Sequence, residues 1–186
     1  MTEKLMNKPC VRIKIVIDQK LKSYGSGCLI KGVNGYFIIT AYHCIYGDNN
    51  IFKDVNADQI LIESQAFYNS SFEKIEVVEI VASDEKEDWA LLKVNYNDLE
   101  GDFPEILTSD NFRVDMPVTF TGFQVVNTEH CRTFKSRVLN GISEYEFRIT
   151  LSAQDKFKGG SDDAVGLSGS GAFIINDGIH IINCNY

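Results

Sequence analysis

Short runs of Ile, Val, Phe and Thr, each cut off by turn residues, follow one another along almost the whole chain. The runs "CVRIKIVI", "GCLIKG", "GYFIITAYH", "QILIES", "EKIEVVEIVA" and "WALLKVN" fill the first half, and "PVTFTGF", "RTFKSRVL", "YEFRITLSA", "SGAFII" and "GIHIINC" the second. β-Branched and aromatic residues suit a pleated, half-buried surface. Turn residues such as those in "VNG", "YGDNN" and "INDG" end each run before it can grow. Apolar spacing of helical period is not sustained over the length a helix needs. The chain is therefore expected to be all-β, folding into barrels or a sandwich.

With 186 residues, 44% of them hydrophobic, the chain can bury one sizeable core or two small fused ones. There is no internal repeat and no low-complexity linker. The polar stretch "NYNDLEGDFPEILTSDNF" (95–112), which holds one of only three prolines, separates two groups of similar strand content. A single globular unit, 1–186, is expected, with an N-terminal half over about 10–95, this connection, and a C-terminal half over about 113–186.

A formal net charge of −8, a pI near 4.9 and the lack of any long Lys/Arg block leave no electrostatic footprint for nucleic acid or an anionic membrane. The N-terminal "MTEKLMNKPCVRIKIVIDQK" has no signal-peptide core, because Arg12 and Lys14 interrupt its apolar run, and nothing approaches a membrane span. A soluble, cytoplasmic protein is the expectation. Five cysteines (Cys10, Cys28, Cys44, Cys131 and Cys184) with no CxxC pair point to reduced thiols packed as small hydrophobes. A Cys28–Cys44 bridge is the main exception to consider, and no metal site or cofactor is expected.

Three stretches carry chemistry. Hydrolysing an amide at neutral pH needs a nucleophile, a base to take its proton and a group to orient that base. In "AVGLSGSGAF", Gly-x-Ser-Gly makes a tight turn that exposes a hydroxyl and lets backbone N–H groups face one small space fit for an oxyanion. Ser168, with Gly166 two residues before it and Gly169 after it, fits that turn better than Ser170; the bland alternative is a Gly/Ser hairpin loop. His43 follows "GYFIITAY", so a rigid strand can place its ring. His130 in "TEHCR" reads as a loop residue and His180 in "DGIHIIN" as strand interior; neither has that context. In "EKEDWALLKV", Asp84, Glu85 and Glu87 read as a solvated loop. Asp88 directly precedes an apolar strand, so its carboxylate can be drawn inward to an imidazole N–H.

Their order along an all-β chain, His, Asp, Ser, matches that of the chymotrypsin-like proteases. The chain resembles the trypsin-like (chymotrypsin-fold) serine peptidases, and within them the bacterial HtrA-like branch. "GSGCLIKGVNGYFIITAYHC" (25–44) is similar to that branch's Gly-Ser-Gly, strand, turn, strand, Thr-x-x-His block, "DWALLKV" (88–94) to its Asp-x-Ala-Leu-Leu strand, and "GLSGSG" (166–171) to its nucleophile loop. The resemblance implies two six-stranded antiparallel barrels with the active site between them. It implies His43 as general base, Asp88 as the group that holds its tautomer, and Ser168 as nucleophile. The backbone N–H groups of Gly166 and Ser168 would form the oxyanion hole, with Thr40 and Ala41 as supporting scaffold. Protein or peptide substrates and no cofactor follow from it.

Departures from the pattern qualify these expectations. Where activated trypsin-like enzymes place an aspartate that pairs with a newly cut N-terminus, this chain has Leu167. Its nucleophile loop must be ordered by its own packing or by a partner. "SGSG" resembles the variant in trypsin-like effector modules of larger signalling or defence proteins. Only about two strands follow the loop, so the second barrel is expected to be abbreviated or truncated, with the chain a piece of a longer protein. Asp162, six residues before Ser168, stands where a carboxylate selecting Lys or Arg substrates would lie, although its acidic, glycine-rich surroundings also suit a solvated loop. "GIHIIN" is expected to be an edge strand that can pair with substrate backbone. The competing functional reading is a protease fold kept as a catalytically silent binding or regulatory module.

Overall fold

The computed structural model describes residues 8–183 apart from 53, 67–69, 99–102, 105, 109–112, 126, 142–146, 150–163 and 177–178. Six strands, β1 (Cys10–Ile17), β2 (Lys20–Gly32), β3 (Gly35–Thr40), β4 (Ile60–Ser64), β5 (Glu73–Asp84) and β6 (Trp89–Asn95), close into an antiparallel barrel in the order β1-β2-β3-β6-β5-β4. Alternation along each strand makes the barrel close around a core. Val11, Ile13 and Ile15 of β1 point inward and meet Leu29, Ile38, Ile62, Ala90 and Leu92, all with no measurable exposure. Burying each of the large aliphatic side chains contributes about 1.5–3 kcal/mol, so this cluster dominates the stability of the N-terminal half.

The turn between β1 and β2 consists of Asp18 and Gln19, flanked by the pair Ile17 and Lys20. Both turn residues have positive φ, 51° and 61°, the signature of the tight hairpin turn whose twist matches that of its strands. On the outer face of β1, Arg12 Nε donates to Glu63 Oε2 (2.6 Å), Lys14 Nζ lies 3.0 Å from the same oxygen, and the Arg12 guanidinium sits 3.3 Å over the Phe72 ring. These contacts staple β1 to its neighbour β4.

The C-terminal half is a six-stranded sheet: β7 (Ile106–Thr108), β8 (Pro117–Gln124), β9 (Asn127–Gly141), β10 (Phe147–Ile149), β11 (Gly171–Asn176) and β12 (Ile179–Asn183), in the order β10-β9-β8-β11-β12-β7. Among the described residues no pairing joins β10 to β7, so one closed barrel and one open sheet stand where the resemblance implied two six-stranded barrels, the second abbreviated or truncated. The sheet is not wholly antiparallel either, since β12 and β7 run parallel. β7 lies inside the polar connection 95–112 and covers the far side of β12. Ile179–Asn183 of "GIHIIN" is therefore an interior strand between β11 and β7, and the expectation of an edge strand fails because a three-residue partner was too short to recognise. His130, expected in a loop, lies within the long strand β9.

The seam between barrel and sheet is polar. Cys10 Sγ donates to the Thr121 carbonyl (3.1 Å), and the Cys131 N–H donates to Oε1 of the fully buried Gln65 (3.1 Å). Ser26, Thr40, Thr121, Gln124 and Ser170 are all almost wholly buried there. Buried polar groups demand partners in fixed directions, so this seam sets one relative placement of the two halves. Cys10, Cys28, Cys44 and Cys131 are all buried free thiols, so the Cys28–Cys44 bridge does not form. No helix among the described residues is long and apolar enough to cross a membrane.

Candidate active site

Strand β3 ends at Thr40, and the chain turns at once into a five-residue helix, α1 (Tyr42–Tyr46), rather than continuing the strand run "GYFIITAYH" to its end. Ala41 opens the helix and has no side chain able to cap it. The cap comes instead from Asp88, whose Oδ1 accepts the His43 backbone N–H at 3.1 Å. The same carboxylate holds the ring: His43 Nδ1 lies 2.9 Å from Asp88 Oδ2 and 3.0 Å from Oδ1. One side chain therefore fixes both the backbone and the imidazole of His43. With Asp88 ionised, Nδ1 carries the proton and the lone pair is left on Nε2.

Asp88 reaches this position from the turn joining β5 to β6, where its φ is 50°. Aspartate tolerates the left-handed region better than most residues. The turn is tied by Asp84, whose Oδ1 accepts the N–H groups of Lys86 and Glu87, both at 2.9 Å. Asp84, set aside in the sequence as one of several solvated acids, is thus the residue that shapes the turn presenting Asp88. The His43 and Asp88 side chains are 37% and 38% exposed, enough for solvent or a substrate to reach the pair.

The Ser168 loop runs through residues 164–170 and leads into β11. Ser168 is partly exposed, whereas Ser170 is 1% exposed, its Oγ sitting over Gly122, so the two serines suggested by "SGSG" separate cleanly by accessibility. Leu167 is buried against Phe120, Phe134 and Ala172 in the core of the C-terminal sheet. An apolar anchor thus stands where activated trypsin-like enzymes place an aspartate.

Four consecutive carbonyls of this loop are bound from outside or within it. Val165 O accepts from the Val125 N–H (2.8 Å), Leu167 O from the Ser170 N–H (2.9 Å) and Ser168 O from the Ser26 N–H (2.9 Å). Gly166 O accepts from the Ser26 hydroxyl (2.7 Å). In a planar trans peptide the N–H opposes the C=O, so binding the carbonyls fixes the directions of the N–H groups that follow. Leu167 N–H returns to Ala164 O (3.0 Å), but the N–H groups of Gly166, Ser168 and Gly169 have no acceptor among the described residues. A segment with its carbonyls engaged and its N–H groups free is suited to receive an anion.

The loop lies directly against the His43 segment. Cys44, next to His43, donates its thiol to Ser168 O (3.4 Å), and burial pushes that thiol up to about 12. Gly169 has φ +79°, and a Cβ there would stand 2.2 Å from Ser26 O, 2.4 Å from Thr40 Oγ1 and 2.9 Å from Ala41 N. Thr40 Oγ1 itself donates to Ser26 O (2.7 Å), so Thr40 and Ala41 both touch the loop or its support. Ser26 is the residue that reading the sequence passed over. The available signal was its place inside "GSG", where flanking glycines let another backbone approach. Asp162 lies outside the described residues. Among those residues no cluster of His, Cys, Asp and Glu could hold a metal ion.

No protein-family model matches the chain, and no curated protein matches it. Solved structures do. The active form of the Rv3671c protease from M. tuberculosis superposes with a TM-score of 0.58 at 15% identity, over 90% of this chain and 65% of that one. A serine endoprotease from Yersinia pestis gives 0.60 at 16% identity, over 92% and 51%. The thermostable serine protease AL20 from an extremophilic microorganism gives 0.64 at 13% identity, over 96% and 83%. The chain spans about two thirds of the first of these and about half of the second. Likeness at such low identity speaks for architecture, and in architecture this chain has the fold of the trypsin-like serine proteases.

Proposed function

We propose that the chain is a serine endopeptidase that cleaves peptide bonds through an acyl-enzyme, with Ser168 as nucleophile, His43 as general base and Asp88 as the group orienting it. The observation that carries this reading is the pair of short contacts from the Asp88 carboxylate to His43 Nδ1, which leave Nε2 free to accept a proton beside the Ser168 loop. In the reaction, Ser168 Oγ attacks the scissile carbonyl as its proton passes to His43 Nε2, and Asp88 stabilises the resulting imidazolium. The N–H groups of Gly166 and Ser168 receive the developing oxyanion. Collapse breaks the C–N bond, and His43 returns the proton to the leaving amine. Water then repeats the sequence on the ester and frees Ser168. The open C-terminal sheet serves as the second half of the cleft, an abbreviated counterpart of the closed barrel. Asp162 remains the proposed selector of basic substrate side chains.

Labelling with a fluorophosphonate tests the reading, because Ser168 Oγ displaces fluoride from phosphorus only when its proton is taken up. Labelling of the wild type that is lost in Ser168→Ala and His43→Ala but kept in Ser170→Ala is the expected result. A wild type that is folded and does not label overturns it in favour of a silent protease-fold module.

A further inference from the structure

We propose that Ser26 is a positioning residue for the oxyanion site: from strand β2 it grips the two peptides that flank the one carrying the Ser168 N–H, and so holds that N–H in the direction that would meet the oxyanion. This rests on the serine-peptidase reading above. Ser26 is fully buried, and each of its polar groups is engaged at the seam. Its N–H donates to Ser168 O (2.9 Å) and its hydroxyl donates to Gly166 O (2.7 Å). That hydroxyl also accepts the Phe123 N–H (2.8 Å), and the Ser26 carbonyl accepts from Thr40 Oγ1 (2.7 Å).

The chemistry of a hydroxyl is what makes this arrangement work. It has one proton and two lone pairs, and the Phe123 N–H occupies a lone pair, which leaves the proton directed at Gly166 O. A hydroxyl that must accept from one strand and donate to the loop holds both in a single geometry. The other two loop carbonyls, of Val165 and Leu167, are bound by the C-terminal half itself. The N–H groups of Gly166 and Ser168 belong to the Val165 and Leu167 peptides, and Ser26 holds the peptides next to them, through Gly166 O and Ser168 O. Fixing the Gly166 carbonyl sets the plane of the peptide entering Leu167, and fixing the Ser168 carbonyl sets the plane leaving the nucleophile. Between those clamped planes lies the peptide carrying the Ser168 N–H. The barrel that supplies His43 and Asp88 thus also sets the frame of the nucleophile loop, and Ser26 is the point where the two requirements meet.

The experiment compares Ser26→Ala and Ser26→Cys with the wild type and with Ile62→Val, a destabilising change in the barrel core away from the seam. Four readouts are taken on each: thermal unfolding, the maximal rate of fluorophosphonate labelling, the reagent concentration for half-maximal rate, and the pH dependence of labelling. Ser26→Ala is expected to lower the maximal rate about 10²-fold, the scale of a misplaced reacting geometry, with the half-saturating concentration and the pH midpoint unchanged. Ser26→Cys, similar in volume with a weaker donor, is expected to fall between. Ile62→Val should unfold at a lower temperature and label at the wild-type rate. A folded Ser26→Ala that labels as fast as the wild type overturns the proposal, as does a loss matched by Ile62→Val at equal destabilisation. A shifted pH midpoint also overturns it, because it would locate the damage at the His43–Asp88 pair. If Ser26→Ala does not fold, Ser26→Cys decides by the same criteria. A folded wild type that is not labelled overturns the peptidase reading and the role of Ser26 with it.

Discussion

Gly169 follows the proposed nucleophile, and two separable penalties oppose any side chain there. Its φ of +79° lies in the left-handed region, where an L residue costs about 1–2 kcal/mol relative to its preferred conformation. In addition, a Cβ would meet Ser26 O at 2.2 Å and Ala41 N at 2.9 Å, both backbone atoms that cannot rotate aside. Overpacking of this kind costs about 1–3 kcal/mol where surroundings can shift a little. Gly169→Ala should therefore lose about 2–5 kcal/mol, the sum of those two ranges. Gly35→Ala is the uncrowded control, because Gly35 also has positive φ, +122°, with nothing within 4 Å of a Cβ, so it carries a conformational penalty without a steric one. Urea unfolding of both variants separates the two contributions, and fluorophosphonate labelling reports whether the loop has moved away from Ala41. The expected outcome is a clearly larger loss of stability for Gly169→Ala than for Gly35→Ala, with labelling lost only in the former. Equal stability losses with labelling intact in both would refute the argument that the loop is packed against the barrel backbone.

Three further outcomes follow from the site and from the buried thiols. Asp88→Asn keeps a residue that tolerates the positive φ, so the fold should survive, but the amide offers Nδ1 a donor as readily as an acceptor; labelling should fall by about 10⁴-fold, measured alongside an unchanged unfolding midpoint. Burial raises the Cys44 thiol to about 12 from its ordinary 9.0 and raises Cys10 as well. Both thiols should resist iodoacetamide in the native protein at pH 8 and react once it is unfolded. Because the folded-state values are raised, the unfolded chain loses thiol protons first as pH climbs. The linked stability is fully present below about 9 and is lost as pH rises towards 12, which urea midpoints across that window will show.

How much of this was legible in the sequence depended on the range of the physical cause. β1 and β6 match "CVRIKIVI" and "WALLKVN" to the residue, because alternation and turn residues are local properties. The three-residue β7 was hidden in a polar stretch, since a strand that short owes its existence to its partner β12 rather than to its own composition. α1 was missed for the same reason: five residues cannot hold a helix alone, and the carboxylate that caps it comes from Asp88 on another turn. At the site, the types and contexts of His43, Asp88 and Ser168 stood out in the chain, and the structure brings His43 and Asp88 into contact and the Ser168 backbone beside Cys44. Ser26 and Asp84 did not stand out, because each acts through backbone groups whose positions no sequence pattern records.

Gly122 and Ser170 occupy a shared volume. A Cβ at Gly122 would come within 2.0 Å of Ser170 Oγ, 2.8 Å of Leu167 Cδ2 and 3.1 Å of Ser26 Oγ. Position 122 has no room for a side chain while 170 carries a hydroxyl, and replacing Ser170 with glycine removes the nearest of those obstacles. The two positions are therefore bound by a common inheritance of space, and a lineage descending from this chain would have to vacate one before it could furnish the other. Related sequences should show that order of events as paired substitutions at 122 and 170, although 47 residues of chain lie between them.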